Sequence, residues 1–150
     1  MREILFKAKR IDNGEWVEGL VTVMWGQPHI INPSNENTAH PIDPETICQY
    51  TGLPDKNGRK IFEGDILMCH NNKSDLVKVV FGKFCVIDVE TLDKIDEVIG
   101  WHYEVITTDE ISKCEPFNLS MPLANMYIKR CEMKVVSNIF DNPQLLKGDD

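Results

Sequence analysis

Short runs of β-branched and aromatic residues recur along this chain, each cut off by a turn rich in Gly, Asn or Asp, and no helical pattern of about ten residues separates them. Strands joined so closely cannot build parallel βαβ units, which need a crossover helix, so the pattern predicts a mainly β protein, a small barrel or a sandwich. The first segment shows the period of two that a half-buried strand requires: Ile4, Phe6 and Ala8 on one side, and Glu3, Lys7 and Lys9 with Leu5 on the other. Asp12-Asn13-Gly14 then predicts a tight hairpin, because Asn-Gly tolerates the positive φ that both central residues of such a turn adopt. The returning strand is expected over residues 15–24, with Val17, Val21 and Val23 on one face and Trp16, Leu20 and Met24 on the other, so both faces are covered in part.

Residues 26–44 change character: Pro28, Pro33, Pro41 and Pro44 alternate with Asn and Ser, which predicts a long irregular loop. A second Asn-Gly, Asn57-Gly58, predicts another hairpin tip, and Glu63-Gly64-Asp65 a tight turn feeding a strand over residues 66–70. Residues 76–81 and 84–90 read as strands joined at Gly82-Lys83. Further strands are expected at 100–106, where Trp101, Tyr103 and Val105 alternate with His102 and Glu104, and at 132–137. Residues 117–127, with Pro116 and Pro122 in or beside them, carry no clear period. At the end, Asn142-Pro143-Gln144-Leu145-Leu146 predicts one helical turn capped by Asn142, with both leucines free to dock on the sheet.

Composition narrows the classes of function. A chain of 150 residues with 42% hydrophobic and 27% charged residues can fold without disulfides or metal. Sixteen basic against twenty-four acidic residues give a net charge of −8, and the basic residues are not segregated, so nucleic-acid binding is unlikely on charge. No signal-peptide pattern follows Met1 and no apolar run is long enough to span a bilayer, so neither secretion nor a membrane role is expected. The cysteines, Cys48, Cys69, Cys85, Cys114 and Cys131, are odd in number and form no Cys-x-x-Cys pair; most are expected as buried thiols in a reducing cytoplasm.

Blocks spread over nearly the whole chain resemble one family. They are Arg2-Glu3-Ile4-Leu5-Phe6-Lys7-Ala8-Lys9-Arg10 with Gly14-Glu15-Trp16-Val17-Glu18-Gly19, then Ile42-Asp43-Pro44-Glu45-Thr46 with Gln49-Tyr50-Thr51-Gly52-Leu53 and Asp55-Lys56-Asn57-Gly58, then Ile61-Phe62-Glu63-Gly64-Asp65-Ile66, and finally Asn138-Ile139-Phe140-Asp141-Asn142-Pro143-Gln144-Leu145-Leu146. Together they resemble the YopX family of phage and prophage proteins. The resemblance implies a small SH3-like β-barrel in the C-terminal half, residues 61–150, packed with an N-terminal β-rich region of hairpin plus long loop, residues 1–60. It also implies action in the cytoplasm of a bacterial host, and it brings no activity, substrate or catalytic residue with it. Residues 93–130 depart most from the family pattern.

Residues that could do chemistry have plainer readings. Glu63 and Asp65, with Asp55 nearby, could form a carboxylate pair, but Gly64 is what a tight turn needs and Asp bonds its own backbone there. His29, His40, His70 and His102 make no His-x-x-x-His or Cys-x-x-His spacing, and Cys69 and His70 fall on opposite faces of a strand, so no metal is expected. No phosphate loop, dinucleotide fingerprint or nucleophile elbow occurs, so no cofactor is expected. Trp25, beside Gly26, Gln27, Pro28 and His29, is the feature to watch for partner binding, and Trp25, Gln27 and His29 are the candidate contacts, whereas Trp16 and Trp101 read as core. The expectation is a non-catalytic accessory protein that binds a protein partner or its own copies as a homo-oligomer. An enzyme with a dispersed Cys, His and Asp site is the alternative, and a nucleic-acid-binding barrel the third.

Overall fold

The computed structural model describes residues 3–32, 34–88, 90–115 and 118–147. Of the positions used above, Arg2, Pro33, Val89, Pro116 and Phe117 lie outside the described residues. The chain is mainly β and divides into two compact units, Met1–Gly52 and Leu53–Asp150. The division falls earlier than the expected boundary after Lys60, because the 55–59 turn is hydrogen-bonded to Met133 and Val135 and so belongs to the second unit. Among the described residues no helix is long and apolar enough to cross a membrane.

In the first unit β1 (Phe6–Lys9), β2 (Trp16–Met24), β3 (Gln27–Asn32) and β4 (Asn35–Pro41) form a meander, and β1 also pairs with β5 (Cys48–Pro54). All these ladders are antiparallel, in the order β4-β3-β2-β1-β5. Ala8, Ile30 and Ile42 are fully buried, with Val17, Val21 and Ile47 packed on them. Lys7, expected on a solvent face, is buried instead: its ammonium lies 4.7 Å from the centre of the Trp16 ring and that of Lys9 lies 5.4 Å away. Gly19 faces the neighbouring strand so closely that a Cβ would collide with the Ile31 carbonyl and come within 2.8 Å of Ile30 Cγ2.

Residues 26–44 are not an irregular loop. Trp25 and Gly26 both take positive φ, 52° and 76°, and make the two-residue turn that reverses β2 into β3. Pro28 has no N–H, so on the side facing Ile42 it accepts from Ile42 N at 3.1 Å but cannot return the bond; the Gln27 side-chain amide donates to Ile42 O at 3.0 Å in its place. A glutamine beside the proline thus satisfies the carbonyl and lets a proline-bearing segment stay in the sheet. The Asp12-Asn13-Gly14 turn is looser than expected, since only Gly14 takes positive φ and Arg10 N bonds Glu15 O across the residues between.

In the second unit β6 (Lys60–Phe62) neighbours the end of β5, and β7 (Asp65–Met68), β8 (Leu76–Ile87), β9 (Lys94–Ile106), β10 (Met121–Pro122) and β11 (Lys134–Asn138) form an antiparallel sheet in the order β10-β9-β8-β7-β11. Both sheets are open, so no closed barrel is formed by the described strands. The core joins Ile61, Leu67, Val77, Val79 and Tyr103 with Leu123, Met133, Val135 and Ile128, the last from helix α1 (Asn125–Arg130). The expected helical turn is present at Pro143–Lys147. Leu145 packs on Ile66, Leu76 and Ile106, but Leu146 is exposed, and the Asn142 side chain bonds the Ser137 hydroxyl while its carbonyl accepts from Leu145 N.

Gly82-Lys83 is not a turn. β8 runs straight through it, and Gly82 stands opposite Gly100 of β9. With no side chain at either position, the Phe84 ring leans along the ribbon and stacks on buried His102, centroids 4.6 Å apart. The reversal comes later: Asp88 N bonds Asp93 O, and Asp88 Oδ1 accepts from Glu90 N at 2.8 Å. Aspartate, not glycine, sets this corner.

Two buried carboxylates act as backbone acceptors. Asp65 Oδ2 accepts from Phe62 N at 2.8 Å across the Gly64 turn. Asp55 Oδ1 accepts from Asn57 N and Arg59 N, and Asp55 Oδ2 from Val135 N at 2.9 Å. Asp55→Ala is expected to lower unfolding free energy by about 3 kcal/mol, because it strands buried donors in both the turn and β11; urea unfolding checks it, and an unchanged midpoint would contradict this role.

Candidate functional site

β7 ends in a turn that brings several ionisable groups near one another. His70 and Asn71 both take left-handed φ, 53° and 54°, Asn72 N bonds Cys69 O, and Cys69 N bonds Asp75 O at 2.8 Å as β8 begins. Across from it, residues 107–115 are held by Ser112, whose hydroxyl accepts from Thr108 N and Asp109 N and whose N–H bonds Asp109 Oδ1 at 2.8 Å. The Thr108 hydroxyl donates to Ser74 O and fastens this segment to the β7–β8 turn.

Two cavities lie along this seam. The outer one, about 320 Å³, is lined by His70, Asn72, Ser74, Asp75 and Asp109 among others; the inner one, about 170 Å³, by Cys69, Tyr103, Met121, Cys131 and Met133 with apolar neighbours. His70, Asp75 and Val105 border both. The fold therefore gathers Cys69, Cys131, His70, Asp75 and Tyr103, which the sequence scatters.

The electrostatics of this group oppose nucleophilic chemistry. Burial, reinforced by Asp75 and Cys131, pushes the Cys69 thiol up to about 12, and burial likewise raises Cys131. The thiolate is the nucleophilic form, so a raised thiol is less reactive at neutral pH. The Tyr103 phenol is raised in the same way. Burial raises Asp75 as well, with His70 opposing and Asp109 adding to the shift. Among the described residues no group of three or more His, Cys, Asp or Glu is placed to hold a metal ion.

The candidates named for partner contact share one hairpin but differ in role. Trp25 is 94% exposed at the hairpin tip. Gln27 is committed to the Ile42 and Pro28 carbonyls, and the half-buried His29 ring has Nδ1 2.8 Å from Gln27 O. Trp16 and Trp101 are half-buried, Trp101 edge-on to Phe81 with centroids 5.0 Å apart.

A further exposed surface, not among the candidate contacts, lies on the β8–β9 ribbon. β7 pairs with β8 only through Lys78, and β10 with β9 only at His102 and Tyr103, so beyond these points the two long strands pair with each other. Phe81, Lys83 and Cys85 share one face with their partners Trp101, Ile99 and Glu97. On that face Phe81 is 53% exposed, Ile99 66% and nearby Ile95 65%. The signal was present as apolar residues at alternate positions of both strands, but placing a turn at Gly82-Lys83 broke the ribbon in two.

A family model described as YopX protein matches residues 25–147. A search of curated proteins finds no match.

Cys85 and Cys114 are exposed, contrary to the expectation of mostly buried thiols, whereas Cys48 and Cys69 are buried. Iodoacetamide at pH 8 is expected to alkylate Cys85 and Cys114 of the folded chain and to leave Cys69 unmodified until denaturant is added. Peptide mass spectrometry reads the order, and early modification of Cys69 would refute the protonated, inaccessible state.

Proposed function

The chain belongs to the YopX family, and we propose that it is a non-catalytic phage or prophage accessory protein of the bacterial cytoplasm that works as a β-sheet binding module, its β8–β9 ribbon joining two copies of the chain. The reading carries with it the SH3-like architecture that the family resemblance implies for the second unit. Its cytoplasmic element is supported by the free cysteines.

One observation carries the proposal: the exposure of Phe81, Ile95 and Ile99 on one face of a ribbon that, among the described residues, no further strand flanks. An apolar face of this kind is unfavourable in water and favours burial against a partner. A second copy is the occupant that fits the charge. The chain as a whole carries −8, which would repel a copy of itself, but residues 80–87 and 94–101 hold Lys83 and Lys94 against Asp96 and Glu97 and sum to zero. The face presents Lys83 and Glu97 together, so a two-fold arrangement offers each copy both signs of charge around an apolar centre. Strand edges left open on the ribbon give the same copy a ladder to extend.

Sedimentation velocity on the full chain is expected to show a dimer at roughly 100 μM, a concentration that would reveal even modest affinity. Ile99→Glu and Ile95→Glu should each shift it to monomer with the far-ultraviolet dichroism of the parent. A monomeric parent at that concentration, or a dimer that survives both substitutions, would sink the self-association reading.

A further inference from the structure

The paired cavities between the β7–β8 turn and residues 107–115 are divided chemically. The outer one carries two carboxylates, Asp75 and Asp109, with Asn72, Ser74 and Ser112 around them. The inner one is walled by Val77, Leu119, Met121 and Met133 together with the Tyr103 ring. Among its polar groups burial raises the Cys69 thiol and the Tyr103 phenol, which favours their uncharged forms, and Cys131, His70 and Asp75 complete the polar part of its lining. Asp75 stands where the two meet.

No lysine or arginine lines either cavity among the described residues, and His70 is the one basic side chain at their border. Asp109 commits Oδ1 to Ser112 N, which fixes the carboxylate in direction. A ligand that matches both halves has a compact positive head and an apolar stem. A guanidinium is broader and wants a bidentate, planar partner, whereas an ammonium is satisfied by separate oxygens arranged around it.

We infer that these adjacent cavities, which share His70, Asp75 and Val105, bind an alkylammonium group, with the ammonium between Asp75 and Asp109 and the hydrocarbon stem in the inner cavity against Val77, Met121 and Met133. The group can come from a free primary amine or from a lysine side chain of a peptide; both present the same head and stem. Burial of the Asp75 carboxyl beside Asp109 supports the inference, because a bound cation relieves what those two groups impose on each other. The site lies apart from the exposed ribbon face in its lining residues, so it does not depend on self-association.

The test is calorimetric titration of the full chain at pH 7.5 with butylammonium, hexylammonium, hexanol and hexanoate. Hexylammonium should saturate, bind about tenfold more tightly than butylammonium as two further methylenes enter the inner cavity, and exceed hexanol by about tenfold, with hexanoate silent. Asp109→Asn, a change on an exposed loop, should weaken hexylammonium about fivefold to tenfold, and Asp75→Asn by at least as much. Nα-acetyl-lysine methylamide distinguishes the sources: binding tighter than hexylammonium assigns the site to peptide lysine, and weaker binding assigns it to free amines. Equal binding of hexanol and hexylammonium, no saturation by about 10 mM, or indifference to both aspartate substitutions in chains of unchanged dichroism would overturn the inference.

Discussion

The three hydrogen bonds accepted by Asp55 hold together segments far apart in sequence. One oxygen closes the turn between β5 and β6, and the other receives an amide from β11, a separation of 80 residues along the chain. Lys56 N bonds Met133 O beside it, so the turn and the start of β11 are joined twice. A buried carboxylate is expensive to desolvate, and it stabilises only when each lone pair finds a donor. Here backbone amides supply them, which ties the Asp55 side chain to one backbone geometry. Asp65 repeats the device over Gly64, and Asn138 does so at the end of β11 with Phe140 N and Asp141 N. The polar residues that first invite a catalytic reading are occupied with the backbone.

Sheet stability in the β8–β9 ribbon is handled differently. The ribbon is closed at its corner by Asp88 and along its length relies on cross-strand pairs. Gly82 and Gly100 form the thinnest of these, and the Phe84 ring covers the gap by stacking on His102. That arrangement puts Phe84 and His102 on the buried face and leaves Phe81, Ile95 and Ile99 on the other. Burial of one face by local aromatics therefore fixes, by the alternation of side chains, which apolar residues remain for a partner. Packing and the proposed function follow from the same register.

Much of the architecture could be read from the residues because strand periods and turn chemistry are local. Asn57-Gly58 and Glu63-Gly64-Asp65 name their corners directly, since Gly58 and Gly64 both need φ of 83°. Errors arose where a distant residue replaced the usual local requirement. Gln27 substitutes for the missing N–H of Pro28, so four prolines in residues 26–44 did not prevent two strands. Trp25, a bulky residue in left-handed backbone, makes the tight turn that Asn13-Gly14 advertised and did not form. Gly82 marks a side-chain gap and not a corner, a distinction set by Phe84 and Gly100 together. The candidate cavities were illegible for a related reason: Cys69, Asp75, Tyr103 and Cys131 meet only after β7, β8, β9 and the segment following α1 are in place.

The same assembly brings Cys, His and Asp together in a setting that disfavours the thiolate. A nucleophilic cysteine needs a setting that favours thiolate, whereas Cys69 is buried beside a carboxylate and a second thiol, both of which disfavour negative charge. Burial holds the Cys69, Cys131 and Tyr103 groups lining the inner cavity toward their protonated, uncharged forms, and Asp75 and His70 border both cavities. Such an environment repels anions, gives no activation to a nucleophile, and attracts a cation whose remainder is apolar. In a chain of net charge −8 the surrounding field draws cations toward that rim before any contact is made. The electrostatics that disfavour a thiolate are those that the proposed alkylammonium ligand would meet.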